Sequence, residues 1–440
     1  MLKDAIKIVK TLQNAGYQAY FAGGYVRDKL LDVESHDIDI VTSAKPERIE
    51  KLFEKTVPIA KKYGIIFVVL NDKNFEVATF RKEAGYLDAR RPSEIHFTDA
   101  KEDATRRDFT INGLFYDPIA KKTIDFVGGV EDVKKKTIRF IGNPNERIEE
   151  DNLRLMRAIR FKITLKFQYD KDSFEAVRAK ATKIKNVSQE RIRDELNKIM
   201  SSSNRHIGLV ELSESKLLQF IIPEAEMLKG VPQPIEYHHE GDCFTHTYLA
   251  LKSLPEGSSL HLSWAVLLHD IAKPQTLQKN NGRILFHDHA QVSAEIANKI
   301  LTRLKFSRVE INDICWLVSN HMKIGDIDKM RPSKAYDFLL DEKFPDLIKL
   351  ARADSLGTYP QNTSLVKELE NKLARAHKYK EQLKTQKQEN LITGDDLIEL
   401  GYKPGQKFQE ILSVVRDQAL QGKIRGKEEA KTFVLKTYKK

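Results

Sequence analysis

Residues 21–42, FAGGYVRDKLLDVESHDIDIVT, join two apolar runs that we expect to form strands. The second run carries Asp37 and Asp39, which are two residues apart and therefore point to the same side of a strand, with Ile38 behind them. Two carboxylates held side by side repel each other unless a cation lies between them. Oxygen ligands with open coordination positions suit Mg²⁺, which completes its octahedron with waters and substrate phosphates. The stretch therefore predicts a magnesium site.

The link between the two runs has residue types that bind phosphate. Gly23 and Gly24 let backbone N–H groups approach a polyphosphate at the start of a short helix, where anions are favoured. Arg27 and Asp28 follow in that helix. A DxD pair alone is more often a turn or a solvated surface, so the prediction depends on the complete spacing of the stretch.

That spacing, GG-x-VRD-x-LL followed by DxD, resembles the signature of the class II tRNA nucleotidyltransferases, the family of CCA-adding enzymes and bacterial poly(A) polymerases. The resemblance implies two Mg²⁺ ions at Asp37 and Asp39, one activating the tRNA 3′-hydroxyl and one stabilising the leaving pyrophosphate. It also implies that Gly23, Gly24, Arg27 and Asp28 position the triphosphate. Asp32 stands where the family usually has Gly, at a turn that Asp tolerates.

Composition limits the class of protein. The chain has 440 residues, enough for two to four domains, and a net charge of +11, which favours a polyanionic partner. Two cysteines, Cys243 and Cys315, are too few for a disulfide framework and fit a reducing cytoplasm. Residues 1–16 have the spacing of an amphipathic helix, not of a signal peptide, and no apolar stretch is long enough to span a membrane. We therefore expect a cytoplasmic protein with a polyanionic partner.

The first 140 residues alternate short apolar segments with turns, which predicts a small mixed sheet. The predicted strands are YQAYFA, HDIDIVT, GIIFVVL, FEVATF, EIHFT and TIDFV. From Arg147 onward, helical spacing dominates. The fold class is therefore α+β, with a sheet-containing head followed by helical domains.

Three further head segments have functional interpretations. Glu76, in FEVATF, is a third carboxylate beside the aspartates or an ordinary solvated strand residue, and the family resemblance favours the metal site. The stretch RRDFTIN resembles a family motif in which Asp108 and Asn112 hold a ribose hydroxyl and Arg107 meets a phosphate. Residues 82–98 are polar and basic and are predicted to be a loop. In the family the matching loop, here with Asp88, Arg90 and Arg91, is needed to add A.

A possible nucleotide-selecting segment follows in RIEEDNLRLMRAIRF. Helical spacing places Glu150 and Asp151 with Arg154 on one polar face, which is commonly a weak surface ion pair. A carboxylate and a guanidinium together match the donor–acceptor edge shared by C and A and reject G and U. The segment resembles the family's EDxxR protein template at those three residues, and Arg157 is added to the nucleotide-binding set. The later SxERIxxEL segment, 188–196, resembles the neck helix that supports it.

A second set of candidate ligands lies further along the chain. His246, His269-Asp270 and Asp354 are spread over about a hundred residues of predicted helix, and a His on an apolar helix is usually a satisfied core residue. The complete pattern resembles an HD-type metal-dependent phosphohydrolase, with His289 and His321 as partners at a second metal position. Imidazole with carboxylate suits Mn²⁺, Ni²⁺, Fe or Zn²⁺ more than Mg²⁺.

Residues 361–440 contain 17 basic and 11 acidic residues, a net charge of +6. This is a solvated helical surface or a tail that meets tRNA backbone. Its LxxGxxPGxxF-like turn resembles the C-terminal segment of HD-bearing tRNA nucleotidyltransferases, with Phe408 in place of a Gly. The predicted domains are a head (1–140), a neck (141–205), a connector (206–235), an HD domain (236–362) and a basic tail (363–440).

The sequence therefore predicts addition of C and A from CTP and ATP to the 3′ end of tRNA, by a monomer or a homodimer. An A-adding enzyme or a poly(A) polymerase is the nearest alternative. A tRNA-end phosphohydrolase with a vestigial transferase head and a non-catalytic RNA-binding protein are the others. The intact DxD and EDxxR argue against these last two, because clustered carboxylates repel RNA.

Overall fold

The amino-terminal part of the chain is built around one mixed sheet. The computed structural model describes residues 1–35, 37–86, 92–385 and 391–439. The strands of this part are β1 (Ala19–Ala22), β2 (Asp39–Thr42), β3 (Thr56–Ala60), β4 (Ile65–Leu70), β5 (Lys73–Thr79), β6 (Arg81–Tyr86), β7 (Pro92–Phe97), β8 (Leu114–Asp117) and β9 (Lys122–Asp125). Seven of them form a sheet in the order β3-β4-β5-β2-β1-β8-β9, in which only β2 and β5 are parallel.

The first helices alternate with the strands of this sheet along the chain, and further helices follow the last strand. They are α1 (Leu2–Asn14), α2 (Gly24–Leu30), α3 (Pro46–Leu52), α4 (Ala100–Thr105), α5 (Gly129–Lys134), α6 (Pro144–Glu150), α7 (Arg154–Leu165), α8 (Lys171–Ala179), α9 (Gln189–Met200), α10 (Arg205–Glu214), α11 (Leu218–Ile221) and α12 (Pro223–Glu226). A short parallel pair, β10 (Thr137–Ile138) and β11 (Gln168–Tyr169), joins two of the helical segments. The predicted amphipathic helix is α1, which buries one apolar stripe.

The prediction of a loop over residues 82–98 is wrong for the described part of that segment. β6 and β7 form an antiparallel hairpin, with Arg81 opposite Phe97 and Tyr86 opposite Pro92. The separate prediction of a strand at EIHFT, residues 94–98, agrees with β7, whereas the polar residues of β6 have no alternating apolar pattern to indicate a strand. Asp88, Arg90 and Arg91, which belong to the predicted loop, lie outside the described residues.

The carboxy-terminal part is mainly helical. Its helices are α13 (Cys243–Ser253), α14 (Leu260–Leu268), α15 (Lys273–Thr276), α16 (His289–Arg303), α17 (Arg308–Asn320), α18 (Pro332–Leu339), α19 (Phe344–Gly357), α20 (Ser364–Thr385), α21 (Gly394–Glu399), α22 (Gln406–Leu420) and α23 (Lys427–Thr437). One hairpin, β12 (Leu277–Asn280) and β13 (Arg283–Phe286), interrupts them.

The last three helices share a small apolar core of their own. Leu397, Tyr402 and Ile411 are buried in it, and Phe408 packs against it. The departure from the family's Gly at Phe408 is thus accommodated by apolar packing. The Tyr402 hydroxyl donates to the Tyr438 carbonyl at 2.8 Å, which ties the turn to the end of α23.

The predicted fold class is confirmed, since a mixed-sheet head is followed by mainly helical segments. The short pairs β10–β11 and β12–β13 are the exceptions to the all-helical expectation. The chain divides into two units, Met1–Glu226 and Met227–Lys440, and the finer division into five domains stays a prediction. In the described part of the chain, no helix is long and apolar enough to cross a membrane.

Candidate active site and candidate metal centre

The carboxylates Asp37, Asp39 and Glu76 lie where β2 and β5 run side by side. Asp39 is the first residue of β2, and the parallel pairing places Ile40 opposite Val77, so Asp39 and Glu76 occupy neighbouring positions on adjacent strands. The expectation that both aspartates lie inside the strand is wrong for Asp37, which precedes β2. The partner strand β1 ends at Ala22, which lies opposite Asp39, and the chain then enters α2. Asp37 therefore has no residue of β1 to pair with.

The electrostatics of these carboxylates show that the structure brings all three together. Burial raises the pKa of Asp39, the charge of Asp37 raises it further, and Arg107 opposes both. Burial likewise raises the pKa of Glu76, with further contributions from Asp39 and Asp37. Because each carboxylate disfavours ionisation of its neighbours, a divalent cation at this position relieves the repulsion.

Arg107 and Gly23 border the carboxylates. Gly23 has φ 67°, and a Cβ built there would lie 3.3 Å from Arg107 Nη1 and 3.9 Å from Asp39 Oδ2. Arg107 is fixed from behind, because its Nη2 donates to the buried Asp103 at 3.1 Å and its guanidinium lies over the Phe115 ring. A glycine backbone, a cation and carboxylates therefore meet at one place, which suits a metal-bound polyphosphate. Asp32, in the turn after α2, has φ 54°, consistent with the Gly expected there.

A chain of buried hydrogen bonds joins α2 to α7 through the RRDFTIN segment. Arg27 Nη1 donates to Asn112 Oδ1 at 2.7 Å, Asn112 Nδ2 donates to Asp108 Oδ1 at 3.1 Å, and Arg157 Nε donates to Asp108 Oδ2 at 2.6 Å. Arg27 also donates to Asp28 at 2.8 Å. Burial raises the pKa of Asp108, but the charge of Arg157 and the bond from Asn112 outweigh it and bring the pKa to about 2. The predicted ribose-binding pair, Asp108 and Asn112, is therefore fixed by its neighbours. Arg27, which was expected to position the triphosphate, instead donates to Asn112.

The EDxxR segment lies at a break between two helices. The expected single helix is wrong, because α6 ends at Glu150, Asp151 is extended (φ −143°, ψ 105°) and α7 begins at Arg154. Asn152 donates to the Ile148 carbonyl at 2.6 Å and Asp151 accepts from the Leu153 N–H at 3.0 Å. Such local bonds from side chain to backbone compete with helix continuation.

Arg154 is consequently buried rather than on a polar surface, with 7% of the residue exposed. Its Nη1 donates to Glu150 Oε2 at 2.6 Å and to the Arg147 carbonyl at 2.7 Å, and its Nη2 donates to the Arg106 carbonyl at 3.2 Å. The guanidinium thus links the EDxxR segment to the head.

Asp151 has a different partner. Arg191 of α9 donates to both of its carboxylate oxygens, at 3.1 and 2.8 Å. One turn along α9, Glu195 accepts from Arg160 Nε at 2.5 Å. These two ion pairs show that the predicted neck helix contacts the EDxxR segment and α7, and the template role of that segment stays a prediction.

The second half of the chain contains a tight cluster of histidines and carboxylates. His246 lies in α13, His269 and Asp270 follow α14, and Asp354 lies in α19. Among the described residues, the sets of three potential donor atoms within 4.8 Å of one another are His246–His269–Asp354, Asp270–His289–His321 and His238–Glu240–His246. The fold therefore brings all six predicted HD residues together in two neighbouring sets. Asp270 Oδ2 of one set lies 3.2 Å from His269 Nε2 of the other.

The orientation of the rings fits metal binding. The Nδ1 atoms of His269, His289 and His321 each hydrogen-bond a backbone carbonyl, at 2.8, 2.9 and 2.7 Å. This turns Nε2 toward the carboxylates, as the outer partners of metal-ligating histidines do. The buried Nε2 atoms of His246 and His269 face carboxylates, at 3.0 Å from Asp354 Oδ1 and 3.2 Å from Asp270 Oδ2. Burial lowers the pKa of His269, but Asp270 and Asp354 outweigh this and raise it to about 10, so these carboxylates favour positive charge at His269.

Sequence reasoning missed Lys273, Glu240 and His238, which lie beside this cluster. Lys273 donates to Asp270 Oδ2 at 2.7 Å and to Gln233 Oε1 at 2.6 Å. Glu240 receives hydrogen bonds from His238 and His246 at 2.6 and 3.1 Å. The sequence signal for Lys273 is its position three residues after Asp270, just beyond the end of α14. Glu240 carries only a weak signal, an acid after paired histidines in a glycine turn.

The cluster opens into a cleft of about 810 Å³. Asp270, His289, His321 and Asp354 line it, together with the cations Lys273 and Arg283. Metal donors with adjacent cations are suited to a phosphate ester.

Comparison with protein families identifies three matching regions. Residues 19–139 match the Poly A polymerase head domain, residues 166–228 match a Probable RNA and SrmB- binding site of polymerase A, and residues 244–358 match the HD domain. The chain therefore combines a region similar to the Poly A polymerase head domain with a region similar to the HD domain. These matches agree with the resemblance to the class II tRNA nucleotidyltransferases that the sequence motifs indicate.

Curated relatives are CCA-adding enzymes. That of Staphylococcus epidermidis is 40% identical over 222 residues, 50% of this chain and 55% of the relative. That of Enterococcus faecalis is 41% identical over 219 residues, 50% of this chain and 54% of the relative. This chain thus spans about half the length of the relatives that it matches.

Solved structures share the fold over almost the whole chain. The Bacillus stearothermophilus CCA-adding enzyme in complex with CTP has a TM-score of 0.73 at 24% identity and covers 99% of this chain and 96% of its own. The Thermotoga maritima CCA-adding enzyme complexed with tRNA has a TM-score of 0.63 at 20% identity, with 99% and 95% covered. At these identities the likeness is one of fold.

Proposed function

We propose that this protein adds C and A, from CTP and ATP, to the 3′ end of tRNA without a nucleic-acid template. The observation that carries the proposal is the meeting of Asp39, Glu76, Arg107 and the Gly23 backbone at one end of the sheet. The similarity to CCA-adding enzymes supports it.

Asp37, Asp39 and Glu76 are proposed to hold two Mg²⁺ ions, which when bound lower the pKa of the attacking 3′-hydroxyl and stabilise the leaving pyrophosphate. The residues fit this role, since their mutual repulsion in a half-buried site calls for a cation. Arg107 and the backbone at Gly23 and Gly24 bind the triphosphate, and Asp108 with Asn112 orients the ribose. Arg27 with Asp28, and Arg157, keep that pair in place.

Asp151 and Arg154 are proposed to select the nucleotide. A carboxylate accepts from the exocyclic amine of C or A, and a guanidinium donates to the adjacent ring nitrogen, whereas G and U present the reverse pattern. Glu150 and Arg191 fix the two groups from opposite sides.

The test is to incubate the protein with tRNAs that lack CCA, or that end in C or in CC, with CTP and ATP supplied separately and together. We expect two C residues from CTP and one A from ATP on the CC end. Addition of A only to tRNA ending in CC indicates an A-adding enzyme, and long A tails on RNA indicate a poly(A) polymerase. Failure of all additions would leave the RNA-binding alternative.

A second function is proposed for the HD domain, hydrolysis of phosphate esters such as 2′,3′-cyclic or 2′-phosphate RNA ends. The buried Nε2 atoms of His246 and His269, each facing a carboxylate oxygen, favour a bound transition metal, held with Asp270 and Asp354. His269→Ala should remove Mn²⁺-dependent hydrolysis and leave nucleotide addition unchanged, because the head has its own carboxylates. Loss of addition by folded His269→Ala protein would contradict separate sites. A cytoplasmic location is part of the proposal, since both cysteines are free.

A further inference from the structure

Glu240 connects two histidines that have different surroundings. Its Oε1 lies 2.6 Å from His238 Nδ1 and 3.1 Å from His246 Nδ1, and its Oε2 accepts from the Tyr359 N–H at 2.9 Å. The Glu240 side chain is only 2% exposed. Three polar hydrogens thus converge on the two Glu240 oxygens, and a glutamate is ordinarily a carboxylate at neutral pH.

A carboxylate only accepts hydrogen bonds, so each imidazole must present its N–H at Nδ1 to Glu240. In the neutral ring the other nitrogen, Nε2, is then an acceptor with a free lone pair. For His246 this nitrogen lies 3.0 Å from Asp354 Oδ1, within the metal centre. For His238, whose side chain is 16% exposed, the ring lines the cleft beside the metal donors.

We propose that Glu240 is a positioning residue that directs His246 toward the metal and His238 toward the substrate, and that His238 Nε2 accepts a hydrogen bond from a sugar hydroxyl next to the scissile phosphate. The ligand class is a phosphate ester of a sugar with a free vicinal hydroxyl. The proposal rests on the hydrolytic function proposed above for the HD domain.

The loop geometry supports a fixed rather than an incidental arrangement. The His239 N–H donates to the Tyr359 carbonyl at 2.8 Å, so this backbone bond and the bond from the Tyr359 N–H to the Glu240 carboxylate hold residues 239–240 against the segment after α19. The same helix carries Asp354, and Ser355 and Thr358 also line the cleft. Glu240 therefore connects His246 of α13 with Tyr359, which follows the helix that carries Asp354.

The test compares two substrates that differ by one hydroxyl, adenosine 3′-monophosphate and 2′-deoxyadenosine 3′-monophosphate, with full-length protein and Mn²⁺. We expect the wild type to have a kcat/KM about 3- to 10-fold higher for the ribose substrate. His238→Ala should abolish this preference and His238→Gln, which keeps an acceptor, should restore part of it. The adjacent and exposed His239 is the matched control, so His239→Ala should retain the full preference.

Metal affinity separates Glu240 from His238. Mn²⁺ titration of Glu240→Gln should show a 10- to 100-fold weaker affinity, whereas His238→Ala should stay near the wild type. An unchanged affinity in Glu240→Gln overturns the positioning role, and a preference retained in His238→Ala overturns the hydroxyl contact. Equal hydrolysis of both substrates by the wild type overturns that contact while the hydrolytic function stands. Hydrolysis of neither overturns the ligand class and the role of His238, and absence of hydrolysis of a 2′,3′-cyclic phosphate and of a 2′-phosphate as well overturns the hydrolytic function.

Discussion

Arg191 donates two hydrogen bonds to the carboxylate of Asp151, which lies between α6 and α7. Asp151 is one of the two residues proposed to select the nucleotide. Its backbone is extended, so it does not belong to α6 or α7. The α9 side chain therefore determines where the carboxylate points. Planar, two-bond contacts of this kind fix direction as well as distance.

Arg191→Ala should relax nucleotide selection. We expect addition of UTP or GTP, relative to CTP and ATP, to rise by about 10-fold, the size expected when one hydrogen-bonded contact is lost. Arg193→Ala, on the same helix but paired with Asp194, is the matched control. Single-turnover assays with each nucleotide measure the ratio, and wild-type selectivity in Arg191→Ala would exclude this role.

Arg154→Ala should lose both selectivity and stability. The buried guanidinium holds Glu150 and two backbone carbonyls, so its removal should lower the free energy of unfolding by about 1–3 kcal/mol. Arg191→Ala, which breaks a partly exposed pair, should cost about 1 kcal/mol or less. Urea unfolding of both variants measures the difference, and equal losses would contradict the helix-junction geometry.

Asp39→Ala should reduce nucleotide addition by at least about 1,000-fold while tRNA binding is nearly unchanged. It removes a proposed metal ligand and no phosphate-binding cation. Addition rates and filter binding of tRNA measure the two effects, with the exposed Glu54→Ala as a charge-matched control. Normal turnover by Asp39→Ala would refute the assignment of the two Mg²⁺ ions.

Asp108 should make stability depend on acid pH. Its pKa is lowered from 3.8 to about 2 in the folded protein, so it contributes about 2 kcal/mol above the unfolded pKa. This contribution is lost as the pH falls through the folded pKa, between about pH 5 and pH 2. The unfolding free energy of Asp108→Asn should therefore approach that of the wild type as the pH falls across this window. A difference that stays constant from pH 7 to pH 3 would contradict it.

Deleting residues 84–92 should stop the product at CC while C addition is largely kept. The hairpin register leaves Arg81, Lys82 and Glu83 opposite Phe97, His96 and Ile95, so Ser93 and Glu94 become a two-residue turn. A pocket that accepts both C and A must rearrange for the larger purine, and this segment is proposed to drive the rearrangement. Product length on tRNA lacking CCA measures the effect, and equal loss of C and A addition would indicate a purely structural role.

The sequence by itself determined which chemistry is proposed for each site, because the spacing of the residues along the chain indicates it. GG-x-VRD with DxD indicated a metal beside a phosphate site, and the histidine and aspartate spacing of the second half indicated a metal centre. The mixed sheet followed by helices was also predictable, since the apolar period changes near Arg147.

Tertiary structure alone decided which side chains complete those sites. Glu76 reaches Asp39 only because β2 and β5 are parallel neighbours, a pairing that no local pattern specifies. Arg191 reaches Asp151 across 40 residues, and Arg154 is buried because Asn152 and Asp151 form local bonds that end the helix. Local spacing fixes which groups share a face of one element. The partners that hold those groups in place come from other elements, which only packing brings into hydrogen-bond distance.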